Sequence, residues 1–184
     1  MKKISRRSFL AGLCSGMVAP YFVKAGTLGL DGTVPPSEKI TIGMIGVGSH
    51  GFEMNLLSFL NLPDAQIIAV CEVDDQRLIT ARDKVNKTYG NRDCATYKDF
   101  RDVIARKDID AVMISTPDHW HVPMSIMAAK AGKDVQMEKP TLTVREGQEL
   151  IKVIRGYSRI FQLSTGTGPF TSIIASPSWS ATAE

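Results

Sequence analysis

A short apolar strand that leads directly into three spaced glycines constrains this chain more than any other feature. The run near 40–46 is predicted to form a strand, and Gly46, Gly48 and Gly51 follow the pattern G-x-G-x-x-G. Glycines at these positions allow a tight turn and a close approach of the backbone to a phosphate group. The helix that follows directs its N-terminal amides toward such an anion. The pattern therefore predicts a strand–turn–helix unit that binds a pyrophosphate.

A second apolar strand, from Ala65 to Cys71, is followed by the acidic residue Glu72. Glu72 lies 21 residues after Gly51, close to the spacing of the acid that binds the ribose hydroxyls of a dinucleotide. An anion there repels a 2′-phosphate, so NAD is expected, and NADP is the alternative if a neighbour such as Arg77 accommodates it. The cofactor-binding residues predicted from this unit are Gly46, Gly48, Ser49, His50, Gly51 and Glu72.

The rest of the chain alternates between predicted strands and helices. Strands are predicted near 40–46, 65–72, 93–96, 109–115, 133–137 and 160–164, and helices near 50–61, 75–88, 98–106, 120–131 and 143–157. Several strands are continuous apolar runs, which is typical of strands covered on both faces. The alternation predicts an α/β fold of the Rossmann type, a doubly wound, mostly parallel six-stranded sheet with helices on both faces. Ligands bind such sheets outside the carboxyl ends of the strands.

Polar residues follow the fourth predicted strand at this edge. Thr116 and Pro117 are expected to shape the loop, while Asp118 either caps the next helix or lies beside the cofactor. His119 and His121 form an H-x-H pair, but two ligands do not make a zinc site. We therefore expect no metal, and we expect the loop to contact the nicotinamide side of the cofactor.

The fifth predicted strand ends in Glu138, Lys139 and Pro140. Hydride transfer from an alcohol needs a group that polarises the oxygen and handles its proton, and a lysine can do both. Glu138 would support Lys139 or contact the cofactor ribose. The alternative is an exposed pair of charges at the end of a strand, which spacing alone leaves open.

The N-terminus has the pattern of a targeting segment. Four cations within the first seven residues precede an apolar run from Phe9 to Val23, which is short for a membrane span. The order SRRSFL resembles a twin-arginine export signal, with cleavage expected after Ala25. An uncleaved anchor or a chance basic start is the alternative. Residues 1–25 are predicted to be the signal and residues 26–38 a linker, which predicts a periplasmic protein that meets the membrane only through its signal.

Charge and cysteine content argue against two further interpretations, nucleic-acid binding and a disulfide. The formal charge is +3, but the first 25 residues hold five cations and no acid, so removing them leaves −2. This balance does not indicate nucleic-acid binding. Cys71 and Cys94 are expected to be buried as small apolar residues rather than joined in a disulfide.

In order and spacing, these motifs resemble the nucleotide-binding domain of the glucose–fructose oxidoreductase and inositol dehydrogenase (Gfo/Idh/MocA) family. The resemblance runs from about Lys39 to Leu163. It implies NAD(P)-dependent hydride transfer to or from a hydroxyl carbon of a sugar or polyol, and homo-oligomers among full-length members. It also implies a catalytic, cofactor-contacting role for Lys139. The cofactor neighbours that it implies are Thr116, Pro117, His119 and Glu138.

The chain departs from the family pattern in two ways. The family usually has Asp where this chain has Glu72, although a carboxylate is kept. The family also has a C-terminal α/β domain that supplies an Asp and a His to the active site, and residues 166–184 resemble neither domain. We expect residues 39–165 to form the NAD(P)-binding domain, followed by a truncated or aberrant tail at 166–184. A non-catalytic nucleotide-binding module or an inactive fragment is the alternative.

Overall fold

The computed structural model describes residues 34–164. Within this range a six-stranded sheet has the order β3-β2-β1-β4-β5-β6, and all neighbouring strands are parallel. The strands are β1 Ile40–Ile45, β2 Ala65–Cys71, β3 Ala95–Tyr97, β4 Ala111–Ile114, β5 Asp134–Glu138 and β6 Phe161–Ser164. The predicted signal at 1–25, most of the linker and the tail at 166–184 lie outside the described residues.

Each strand is joined to the next by a segment that contains a helix. Helix α1 begins as a π-helical segment, Gly51–Leu56, and continues as an α-helical turn, Leu57–Leu60. The others are α2 Asp75–Tyr89, α3 Phe100–Ile104, α4 Asp118–Lys130 and α5 Val144–Gly156. This order of elements confirms the predicted Rossmann-type α/β fold. Helix α3 begins at Phe100 rather than near 98 because Asp99 caps it, its side chain accepting a 2.9 Å hydrogen bond from the amide of Arg101.

Each face of the sheet has its own apolar cluster. On one face, strand residues such as Ile45, Ile114 and Met137 pack with residues of α3, α4 and α5, namely Phe100, Val103, Ile104, Val122, Met124, Ala128 and Leu150. On the other, Met44, Val70 and Met113 pack with residues of α1 and α2, namely Leu56, Phe59, Leu78, Ala81 and Val85. Helices therefore cover both faces, as continuous apolar strands require.

A bulge in β2 sets which residues of that strand face each cluster. Ile42 pairs with Ile67 while Gly43 pairs with Ala69, so Ile68 is an extra residue in the ladder. Ile68 and Ala69 consequently pack on the same face, and alternation resumes with Val70 on the opposite one. The bulge thereby determines which face of the sheet each later residue of β2 points to, up to the carboxyl end, where Glu72 follows.

Both cysteines of the described region are buried and free, as predicted. Burial raises the pKa of the Cys71 thiol to about 12, with the charge of Glu72 adding to the effect. Burial likewise raises the pKa of Cys94 to about 11. Both thiols are therefore protonated and unreactive at neutral pH.

Among residues 34–164 there is no helix whose length and apolar character would let it cross a bilayer.

Candidate dinucleotide site

In the turn after β1, contacts within the protein require a glycine at two of the three glycine positions. Gly46 has φ +84°, in the left-handed region, and a Cβ there would lie 2.5 Å from the carbonyl oxygen of Ser115. A Cβ at Gly51 would collide with the carbonyl oxygen of Gly46. The first glycine therefore makes the turn, and the third allows α1 to pack closely against it.

Gly48 is different, because protein contacts do not require a glycine there. Its added Cβ would meet only Nη1 of Arg77 at 3.5 Å, an ordinary van der Waals contact. The space beside Gly48 opens into a cleft, so a side chain at this position would project toward a ligand rather than into the protein. This is the room that a pyrophosphate needs for close approach to the backbone.

Glu72 fastens the turn to the end of β2. Its Oε2 accepts a 3.0 Å hydrogen bond from the amide of Val47. Its Oε1 accepts from the amides of Val73 at 2.8 Å and Asp74 at 3.3 Å. Three backbone donors fix the orientation of the carboxylate, which also lines the cleft. A negative charge is therefore held where the sequence predicted a ribose contact.

The cleft has a volume of about 740 Å³ and opens at the carboxyl edge of the sheet. This volume lies in the range of small-molecule sites. Eight of the eleven predicted site residues line it, namely Gly46, Gly48, Ser49, His50, Gly51, Glu72, Thr116 and Pro117. The structure thus brings together the glycine turn, the acid after β2 and the loop after β4. The other three, His119, Glu138 and Lys139, do not line this cleft.

Glu138 is the centre of a buried polar network beside the cleft. Only 5% of its surface is exposed, and its Oε1 accepts a 3.1 Å hydrogen bond from Nδ2 of Asn55. Nε2 of His50 lies 3.2 Å from the same oxygen. Burial alone would raise the pKa of Glu138, but hydrogen bonds from Asn55, Ser164 and His50 outweigh it and lower the pKa below its usual value. The alternative of an exposed charge pair is therefore wrong for Glu138, although Lys139 is exposed.

Asn55 was not predicted from the sequence. Its side chain is fully buried in the π-helical segment, and its Nδ2 also donates a 2.8 Å hydrogen bond to Oγ of Ser115. Asn55 thereby links α1 to the ends of β4 and β5. The only sequence signal was a polar residue on the apolar face of a predicted helix. The wider turn that places it there is typical of functional sites.

The two histidines after β4 occupy different environments. His119 is exposed, with its ring centroid 5.9 Å from that of Trp120. His121 is buried, and its ring nitrogens face backbone carbonyl oxygens. Asp118 is the first residue of α4 rather than its cap, so the capping interpretation is wrong. Among residues 34–164, no group of three or more His, Cys, Asp or Glu side chains is placed to hold a metal ion.

Comparison with solved structures identifies the same architecture in polyol dehydrogenases. The scyllo-inositol dehydrogenase from Lactobacillus casei, solved with bound NAD(H) and scyllo-inositol, is 28% identical with a TM-score of 0.61, over 68% of this chain and 36% of that one. The myo-inositol 2-dehydrogenase from Lactobacillus plantarum is 31% identical with a TM-score of 0.61, over 68% of this chain and 36% of that one.

The curated relatives with similar sequences are named as members of a glycosyl hydrolase family. A "Glycosyl hydrolase family 109 protein" from Shewanella pealeana is 33% identical over 168 residues, 81% of this chain and 36% of that protein. A protein with the same name from Saccharopolyspora erythraea is 37% identical over 119 residues, 62% of this chain and 26% of that protein. The chain spans about a third or less of the length of these relatives.

The family model described as "Oxidoreductase family, NAD-binding Rossmann fold" matches residues 40–165. This range contains the glycine turn, Glu72 and the loops that follow β4 and β5. The chain therefore belongs to the Gfo/Idh/MocA family of oxidoreductases, and residues 40–165 are its NAD-binding Rossmann fold.

Proposed function

We propose that this chain is the nucleotide-binding part of an NAD(P)-dependent oxidoreductase that transfers a hydride to or from a hydroxyl-bearing carbon of a sugar or polyol. The observation that carries the proposal is the cleft in which Gly48 leaves room for a pyrophosphate beside the fixed carboxylate of Glu72. The scyllo-inositol dehydrogenase with bound NAD(H) and scyllo-inositol supports the substrate class.

The residues that would hold the cofactor follow from this cleft. Gly48 would receive the pyrophosphate, and Glu72 would accept hydrogen bonds from the adenosine ribose hydroxyls, which favours NAD over NADP. Thr116 and Pro117 would shape the nicotinamide side, with His119 beside them. Bound NAD supplies a hydride acceptor, and the reduced form supplies a donor.

Lys139 would handle the proton of the substrate. During oxidation its neutral amine would accept the hydroxyl proton, and during reduction the resulting ammonium would return that proton to the same oxygen. Glu138 precedes it and is tied to Asn55 and His50 inside the protein. This burial favours Glu138 as an anchor of Lys139 over Glu138 as a ribose contact.

Glycoside cleavage is a second candidate that uses the same residues. It is favoured by the relatives named glycosyl hydrolase family 109 proteins, at 33% and 37% identity. In that case oxidation and reduction of the sugar would balance within one turnover, so that the bound cofactor is recycled. Such recycling suits an exported protein, because free nicotinamide cofactor is scarce outside the cytoplasm. We accordingly propose export by the twin-arginine route with the cofactor already bound.

The test of both proposals begins with calorimetric titration of the chain with NAD and NADP. Binding of NAD supports the site, whereas a folded chain that binds neither nucleotide contradicts it. Turnover is then measured on the full-length protein from the native source, with free sugars, inositols and glycosides as substrates.

The optical absorbance of reduced nicotinamide separates the two reactions. Its accumulation with a free sugar or polyol indicates the oxidoreductase, and cleavage of a glycoside without accumulation indicates the hydrolase. Lys139→Met should lower either activity by about 100-fold or more. Lys130→Met, which alters an exposed lysine at the end of α4, is the matched control and should have little effect.

A further inference from the structure

His121 is a buried titratable residue that the proposed reaction does not use. It lies in the first turn of α4 and is only 1% exposed. Its Nδ1 lies 2.9 Å from the carbonyl oxygen of Pro140, and its Nε2 lies 2.7 Å from the carbonyl oxygen of Thr116. One ring thus bridges the backbone that follows Lys139 and the backbone that leads into α4.

The chemistry of this bridge depends on the protons of the ring. A carbonyl oxygen can only accept a hydrogen bond. The neutral ring donates to one carbonyl and turns a lone pair toward the other, whereas the doubly protonated ring donates to both. The bridge therefore binds both segments at once only when both nitrogens carry protons.

We propose that His121 is a positioning residue for Lys139, because its ring holds the Lys139–Pro140 segment against the backbone that leads into α4. The role in catalysis rests on the proposed function of Lys139. On the other side of Lys139, the Glu138 carboxylate is already anchored by Asn55 and His50. His121 supplies the matching anchor at Pro140, so the residues on both sides of the exposed lysine are held in place.

The test measures NMR order parameters of the backbone amides of Lys139 and Thr141 in the full chain. In the wild type we expect values near the rigid limit of about 0.85. His121→Phe keeps a ring but donates nothing, so both values should fall below about 0.6. His121→Gln, with a donating amide, should restore part of the order.

Two control variants separate the bridge from other effects. Ser125→Ala removes the buried hydroxyl that donates a 2.7 Å hydrogen bond to the His121 carbonyl oxygen, and it leaves the ring contacts intact. It should lower thermal stability without changing the order of Lys139. His119→Gln alters the exposed histidine at the start of the same helix and should leave the order of Lys139 unchanged.

Unchanged order parameters in folded His121→Phe would overturn the proposal, and so would an equal loss in Ser125→Ala. If His121→Phe does not fold, the comparison is made with His121→Gln. Its order parameters must then lie between the wild-type values and about 0.6. Binding of NAD to the wild-type chain is measured on the same sample. If the wild-type chain does not bind NAD but the order parameters change as expected in the His121 variants, the proposed function is rejected and the bridge is established.

Discussion

The backbone amide of Val47 donates a 3.0 Å hydrogen bond to the carboxylate of Glu72, which joins the glycine turn to the end of β2. The other oxygen of the same carboxylate accepts hydrogen bonds from the amides of Val73 and Asp74. One side chain therefore both holds the turn in place and presents a negative charge to the cleft. A change at Glu72 therefore alters the support of the turn and the charge of the cleft together.

The first prediction concerns Glu72. Glu72→Ala removes three acceptor contacts and the ribose partner, so NAD affinity should fall by about tenfold or more, as expected for loss of hydrogen bonds to a charged group. Glu72→Gln keeps the size but can orient only one acceptor oxygen, so it should lie between the wild type and Glu72→Ala. Both variants should bind NADP better relative to NAD, because the charge that repels a 2′-phosphate is gone.

Calorimetric titration with each nucleotide measures these changes. Glu53→Gln, which removes an exposed acid from α1, is the matched control and should bind like the wild type. An unchanged ratio of NADP to NAD affinity in Glu72→Gln would show that this carboxylate does not select the cofactor.

The second prediction contrasts two glycines of the same turn. Gly48→Ala introduces only an ordinary contact with Arg77, so stability should change by no more than about 0.5 kcal/mol. Because the new methyl group occupies the room for the pyrophosphate, NAD affinity should fall by more than about tenfold. Gly46→Ala instead forces a Cβ against the Ser115 carbonyl at a positive φ, and should cost about 1–3 kcal/mol of stability.

Thermal unfolding and NAD titration of both variants check this contrast. The interpretation of Gly48 fails if Gly48→Ala binds NAD as tightly as the wild type. It also fails if Gly48→Ala is destabilised as strongly as Gly46→Ala.

The sequence predicted the fold closely because strand and helix patterns in this architecture are local. Apolar runs marked the strands, and the glycine spacing marked the turn at Gly46. The bulge at Ile68 was not predictable, because a continuous apolar run has no alternation of apolar and polar residues that would show which face each residue points to. Only the pairing of β2 with β1 reveals which residues share a face.

The site was predicted in part for a similar reason. Residues on the glycine turn and at the strand ends lie at one edge of any parallel sheet, so Glu72 and Thr116 were predictable from topology. The contacts of Asn55 with Ser115 and Glu138 span 60 and 83 residues in sequence. Such partners depend on packing between α1, β4 and β5, which no local pattern encodes. The burial of Glu138 was missed for that reason.

The third prediction concerns the pH dependence that Glu138 introduces. Hydrogen bonds from Asn55, Ser164 and His50 hold its pKa below the ordinary value of 4.5 in spite of burial. A lowered pKa in the folded state stabilises the protein above that ordinary value, and this stabilisation is lost as pH falls through the lower, folded pKa. Glu138→Gln should therefore be less stable than the wild type at pH 7, with a difference that shrinks in acid.

Thermal unfolding of both proteins from about pH 7 down to about pH 3 measures this difference. Glu53→Gln is the control, since it removes an exposed glutamate from α1. A Glu138→Gln difference that stays constant across the whole range would contradict the assignment of this titration to Glu138.

The last prediction concerns Arg77, which lies in the first turn of α2 and lines the cleft. Its Nη1 is 3.5 Å from the position of a Cβ on Gly48, so the guanidinium is within reach of phosphate groups placed beside the turn. Arg77→Ala should weaken NADP binding more than NAD binding, because a 2′-phosphate depends on a bidentate cation to offset the charge of Glu72. Arg82→Ala is the control, since Arg82 pairs with Asp83 at 2.7 Å on the same helix and does not line the cleft. Equal losses for both nucleotides in Arg77→Ala would instead assign this guanidinium to the pyrophosphate, which NAD and NADP share.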